Sequence, residues 1–98
     1  MNIQVLEEGQ KIVITLPEEV DLNFHSSFRS VYVNRPKETE YILDCSQVSM
    51  IYSSGMTAFI LLREHCGEER AKISLINCNQ DVKKSLEVVR FTDIFEVS

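Results

Sequence analysis

The stretch whose reading decides the fold runs Tyr41-Ile42-Leu43-Asp44-Cys45, then Ser46-Gln47-Val48-Ser49-Met50-Ile51-Tyr52-Ser53-Ser54-Gly55, then Met56-Thr57-Ala58-Phe59-Ile60-Leu61-Leu62-Arg63-Glu64-His65-Cys66. The first five residues are a compact apolar run of strand length, which predicts a central strand. The last block predicts a strong helix. Met56, Phe59, Ile60, Arg63 and Cys66 mark one side, Leu61 and Leu62 widen the apolar face, and Gly67 is the expected stop. A strand followed by a helix and another strand needs a crossover connection, so the strands around this helix are expected to be parallel.

Working toward the N-terminus, Ile3-Gln4-Val5-Leu6 reads as a short strand and Glu7-Glu8-Gly9-Gln10 as a turn. Lys11-Ile12-Val13-Ile14-Thr15-Leu16 is β-branched and bounded by Gly9 and Pro17, so it reads as a second strand. The short gap predicts an antiparallel hairpin. Asn23 is the expected cap of a first helix from about residue 24 to about residue 33, in which Phe24, Phe28 and Val31 recur at helical spacing. It should end before Pro36, and Arg35 to Glu40 should be a polar loop.

Toward the C-terminus, Lys72-Ile73-Ser74-Leu75-Ile76-Asn77 alternates and reads as a strand. Asn79 is the expected cap of a last helix in which Val82, Ser85, Leu86 and Val89 share a face. Phe91, Ile94 and Phe95 form a closing tail that packs back on the core. The expected order is β-β-α-β-α-β-α and a tail. This is an α/β single domain over residues 1–98, with a mixed sheet of four or five strands and helices packed mainly on one face.

Composition narrows the function classes. Ninety-eight residues suit one domain with one core, and a hydrophobic fraction of 44% is that of a globular chain. The formal net charge is −5, and Lys83-Lys84 is the only adjacent basic pair. A nucleic-acid binder needs a basic stripe to release counterions, so direct nucleic-acid binding is not expected. The apolar run around Phe59 to Leu62 is far too short to insert across a membrane. Met1-Asn2-Ile3-Gln4 lacks the charged and apolar regions of a signal peptide, so the expected chain begins at or near Met1 and stays in the cytoplasm. Cys45, Cys66 and Cys78 form neither a CxxC pair nor a zinc pattern and read as reduced thiols.

In open α/β sheets ligands meet the loops at the carboxyl ends of the strands, and Ser46 to Gly55 is such a loop. Two adjacent serines at a helix start carry two readings. In one, a hydroxyl simply caps the helix; in the other, one hydroxyl caps while its neighbour faces solvent. A phosphate is easily carried there, because free N–H groups and the helix dipole favour negative charge. Phosphorylation would add about −1.5 to −2 charges to the surface and act on an interface, not on folding. Enzymatic readings find less support. Tyr52-Ser53-Ser54-Gly55 lacks the first glycine of a G-x-S-x-G elbow, and His25 and His65 both fall on predicted helices. No P-loop, no G-x-G-x-x-G and no clustered metal ligands occur, so no cofactor and no metal are expected.

The order and spacing of these segments resemble a STAS domain, the fold of bacterial anti-sigma factor antagonists. The resemblance runs through Val20-Asp21-Leu22-Asn23-Phe24-His25, the strand Tyr41 to Asp44, Ser53-Ser54-Gly55-Met56, Phe59 to His65, Ile76-Asn77-Cys78 and Phe91-Thr92-Asp93-Ile94-Phe95. It covers nearly the whole chain. The family's phosphoacceptor is the first serine of a D-S-S-G or D-S-S-A segment, which falls on Ser53; Tyr52 stands where the family has an acidic residue. The resemblance implies a partner-binding surface made by Tyr52, Ser53, Ser54, Gly55 and Met56. It also implies an anti-sigma factor with serine kinase activity as partner and a PP2C-type phosphatase that restores the serine. ATP belongs to the kinase, and no catalytic residue is expected here. The competing readings are a constitutive scaffold or transporter-associated subunit without the switch, which Tyr52 favours, and a small-molecule sensor or enzyme, which nothing in the sequence requires.

Overall fold

A computed structural model describes residues 3–98; the expected start at Met1 lies outside the described residues. The strands are β1 (Gln4–Glu8), β2 (Lys11–Thr15), β3 (Glu19–Val20), β4 (Glu40–Asp44), β5 (Met50–Ile51), β6 (Lys72–Ile76) and β7 (Glu96–Val97). The α-helices are α1 (His25–Tyr32), α2 (Ser53–His65) and α3 (Gln80–Val88). Gly9 takes φ +66° between β1 and β2, a conformation that costs a side chain energy, and the two strands pair antiparallel as expected. β2, β4, β6 and β7 then pair in parallel, giving the order β1-β2-β4-β6-β7. The tail thus supplies the fifth strand of a mixed sheet.

The register explains where the core sits. It lines up Ile12, Tyr41 and Ile73 in one cross-strand row and Ile14, Leu43 and Leu75 in the next. All six are buried, whereas the alternate residues Val13, Ile42 and Ser74 are only half-buried. Side chains alternate across a strand, so one face of the sheet carries the packed core and the other is comparatively open. Phe24 stacks on Phe28 at 4.6 Å between ring centroids, and Phe59 meets both edge-on, which fastens α1 to α2.

Several boundaries differ from expectation, each for a local reason. Asp21, not Asn23, is the cap at the first helical segment: its Oδ1 accepts from the Asn23 N–H at 3.0 Å. A 3-10 turn over Leu22–Phe24 intervenes, so α1 begins at His25. On α2 the buried side is Gly55, Ala58, Phe59 and Leu62, continued by Cys66. Met56, Ile60 and Arg63 are only half-buried and Leu61 is exposed, so the inner face is rotated from the one marked by the large side chains. Gly55 lets this side approach β3 closely, since its nearest neighbours are atoms of Val20. Asn79 caps α3 as expected, accepting from the Val82 N–H at 2.8 Å, but Val89 lies past the helix end and faces out. Gly67 ends α2 with φ +90°. Among the described residues no helix is long and apolar enough to cross a membrane.

Candidate functional site

Beyond the carboxyl ends of β2 and β4, the two-residue strands β3 and β5 pair in parallel, Glu19 opposite Met50 and Val20 opposite Ile51. This small ribbon, which no sequence pattern announces, aims the chain into α2. The Tyr52 N–H donates to the Val20 carbonyl at 2.9 Å, continuing the pairing by one residue. Tyr52 itself is extended (φ −85°, ψ 159°), and its carbonyl accepts from the Gly55 and Met56 N–H groups at 2.9 and 3.0 Å. The helix therefore starts at Ser53, with the Ser53 and Ser54 amides outside the helical ladder.

This geometry changes the capping expectation. The residue in the capping position is Tyr52, and no side chain caps α2. Neither serine hydroxyl serves that purpose, because both residues already lie inside the first turn. Ser53 is exposed and Ser54 half-buried. Of the other residues expected at a partner surface, Tyr52 is exposed, Met56 half-buried and Gly55 buried. Gly55 faces the ribbon, so closely that a Cβ there would overlap the Val20 carbonyl oxygen. It supports the loop from behind.

Two exposed apolar residues carry no signal in the sequence. Leu22, at 68% exposure, follows Val20 by two residues, and Met50, at 48%, precedes Tyr52 by two. Tyr52, at 43%, adds a third: Met50 and Tyr52 flank Ile51 on the segment leading to Ser53, and Leu22 lies in the 3-10 turn that follows β3, the strand paired with β5. Exposed apolar groups in one place mark interaction sites more often than scattered ones do. Leu22 lies within the segment that carries the family resemblance, but no periodicity distinguishes it from a core residue. Glu18 and Glu19 are also exposed on this side, so the rim is acidic.

His25, by sequence an ordinary helical residue, has its Nε2 2.5 Å from the Ser54 carbonyl oxygen, where a ring N–H donates. It fastens the start of α1 to the first turn of α2. It engages a backbone carbonyl and not a serine hydroxyl. His65 is twelve residues along α2, about 18 Å away by helical rise. There its Nε2 lies 3.2 Å from the Arg35 carbonyl. The two histidines do not converge on Ser53. Among the described residues no group of three or more His, Cys, Asp or Glu side chains is placed to hold a metal ion.

The uncapped start of α2 carries a prediction. Tyr52→Asp should stabilise the domain by about 1 kcal/mol, the usual worth of a side-chain cap, since the backbone at residue 52 is already extended and its side chain is exposed. Urea unfolding near neutral pH would measure it. Tyr52→Asn should retain most of the gain, because capping needs an acceptor and not a charge. No gain in either variant would mean that the amides of the first turn are not accessible to the residue-52 side chain.

Comparison with known proteins agrees with this architecture. The family model described as STAS domain matches residues 2–98. A STAS-domain containing protein of Pseudomonas aeruginosa (strain UCBPP-PA14) is 33% identical over 94 residues, covering 93% of this chain and 91% of that protein. The structure of the anti-sigma factor antagonist SpoIIAA of Bacillus, in its unphosphorylated form, superposes with a TM-score of 0.75 at 17% identity, covering 99% of this chain and 87% of that one. A sulfate transporter family protein of Wolinella succinogenes superposes with a TM-score of 0.74 at 17% identity, covering 90% of this chain and 73% of that one. The two structural likenesses speak for the fold alone. With a family model matched over nearly every residue and a relative a third identical over more than nine-tenths of both chains, this chain belongs to the STAS domain family.

Proposed function

We propose that this domain is a partner-switching signalling protein of the anti-sigma factor antagonist kind, working in the cytoplasm and controlled by phosphorylation of Ser53. The observation that carries the reading is the position of Ser53. It is the first residue of α2, exposed, and follows the exposed Met50 and Tyr52 in the chain, with exposed Leu22 just past β3, the strand that pairs with β5. In the unmodified state the apolar side chains dock on an anti-sigma factor with serine kinase activity. The kinase then transfers a phosphoryl group from ATP to the Ser53 hydroxyl, and a PP2C-type phosphatase removes it. The domain supplies the acceptor and the docking surface, and phosphoryl transfer is the partner's chemistry. The fold tolerates the modification, because a phosphate at this position meets the positive end of α2 and displaces no packed atom.

The reading is tested by incubating the domain with a candidate kinase and ATP and mapping the product by peptide mass spectrometry. Stoichiometric modification at Ser53, absent in Ser53→Ala, is the expected result. An active kinase that binds the domain yet leaves Ser53 unmodified would count against the switch.

Tyr52 supports a second reading, a constitutive scaffold or transporter-associated subunit. In the family's motif an acidic side chain precedes the acceptor serine, and here a phenol stands in its place and brings no carboxylate to the serine. Capture of a partner with equal affinity by wild type, Ser53→Ala and Ser53→Asp would favour it.

A further inference from the structure

β4 and β6 end as partners, Asp44 opposite Ile76, and each chain continues within two residues to a cysteine. The Cys45 N–H donates to the Ile76 carbonyl at 2.8 Å, extending the parallel ladder by one bond. Cys45 keeps the inward alternation of Tyr41 and Leu43 and is 1% exposed. Asn77 then takes φ +60°, a left-handed conformation that asparagine tolerates. This breaks the alternation of β6 beyond Ile76, and Cys78 packs against the core. The corner is held on both sides. The Asn77 Nδ2 donates to the Asp44 Oδ1 at 3.1 Å, and the Cys78 N–H donates to the Ser98 carbonyl at 3.0 Å. The register thus sets Cys45 and Cys78 side by side at the carboxyl ends of β4 and β6. The Cys45 S–H donates to the Leu43 carbonyl at 3.8 Å, and Cys78 is near enough for each thiol to perturb the other.

The pair is chemically unequal. Cys45 is buried, and the neighbouring Cys78 sulfur together with burial holds it as a thiol. Cys78 is half-buried; the neighbouring Cys45 thiol pulls it below the ordinary value against the effect of burial, and the Lys83 ammonium adds to the pull. Thiolate character and access decide which cysteine an oxidant meets first. Cys66, by contrast, is buried with its thiol pushed up to about 11 by desolvation.

We propose that Cys78 and Cys45 form a peroxide-oxidisable pair that closes to a reversible disulfide across the carboxyl ends of β4 and β6. The Cys78 thiolate attacks one oxygen of hydrogen peroxide and the O–O bond breaks. Cys78 becomes a sulfenic acid, and the departing hydroxide takes up a proton as water. The Cys45 sulfur then attacks the Cys78 sulfur, its proton leaving with the sulfenic hydroxyl as a second water. Two thiols and one peroxide thus give one disulfide and two waters, with both sulfurs oxidised and the peroxide reduced. A small thiol reverses the change by exchange. The bond would form at the root of the loop that leads to Ser53. The Val48 N–H donates to the Cys45 carbonyl at 3.0 Å, and the Asn79 Nδ2 donates to the Val48 carbonyl at 3.2 Å.

The test uses the full chain, reduced, freed of reductant and treated near neutral pH with hydrogen peroxide in small excess. Intact mass should fall by two hydrogens, and non-reducing peptide mapping should join the Cys45 peptide to the Cys78 peptide. Cys66 should remain free, and dithiothreitol should restore the starting mass. Before oxidation, Cys78 should be alkylated by iodoacetamide about tenfold faster than Cys66. Cys45→Ser should leave a Cys78 sulfenic acid that dimedone traps. If that variant does not fold, the wild-type map alone decides. A linked peptide containing Cys66, a crosslink only between two chains, over-oxidation of Cys78 without a crosslink, or no loss of mass would each overturn the proposal.

Discussion

Gly55→Ala should destabilise the domain by about 2 kcal/mol and dislodge the start of α2, a large response to one methyl group. The added Cβ would overlap the Val20 oxygen and lie 2.6 Å from the Val20 carbonyl carbon and 2.7 Å from Val20 Cγ1. The first two atoms are backbone and cannot swing aside. Moving β3 away would strain the bond from the Tyr52 N–H to the same Val20 oxygen, and Val20 is itself fully buried in the core. Alanine's better helix propensity returns about 1 kcal/mol, so the overpacking must exceed that for the variant to lose stability. Urea unfolding of Gly55→Ala beside the exposed control Thr57→Ala gives the comparison. Amide exchange at Tyr52 should quicken in the first variant only. A Gly55→Ala protein as stable as wild type would show that β3 retreats without cost and that the close approach is incidental.

The same glycine shows what a sequence can and cannot convey. Gly55 is legible as part of a helix entrance, but its backbone neighbour Val20 is 35 residues away in the chain, and no local pattern announces that contact. Long regular elements are legible because their periodicity repeats: the inward alternation of Ile12 and Ile14, or of Ile73 and Leu75, identifies a strand face from the residue pattern alone. β3 and β5 have two residues each, too few for a period of two to repeat, and they exist because they pair with one another. The cap of the first helical segment falls two residues from the expected one because Asp21 and Asn23 have similar capping preference, and only the extended backbone at Asp21 distinguishes them. At the site, Ser53 and Tyr52 are legible from the motif. Leu22, Met50 and His25 are not, since an exposed apolar residue and a buried one look alike in a sequence and a histidine aimed at a distant carbonyl leaves no local signature.

Ser53→Asp should lower affinity for the partner by about 100-fold, roughly 2.8 kcal/mol, while leaving folding stability unchanged or higher by about 0.5 kcal/mol. The two effects separate because they act on different surfaces of the same residue. Within the domain the carboxylate sits in the first turn of α2, where the amides of Ser53 and Ser54 lie outside the ladder and the dipole favours negative charge. Ser53 is exposed, so no packing is lost. At the proposed interface the same carboxylate would have to be stripped of water among exposed apolar side chains such as Met50 and Tyr52, and the exposed Glu18 and Glu19 add like charge on the paired strand. Titration calorimetry against the purified partner would measure the affinity, with Ser53→Ala expected to bind within about threefold of wild type, a cost below about 1 kcal/mol. Raising the salt should recover only part of the loss, because salt screens repulsion between charges but does not remove the cost of desolvating one. A Ser53→Asp domain that binds as tightly as Ser53→Ala would place the interface elsewhere. A variant that loses several kcal/mol of folding stability would mean instead that the Ser53 hydroxyl holds the helix start together, a role the geometry of Tyr52 and Gly55 already fills.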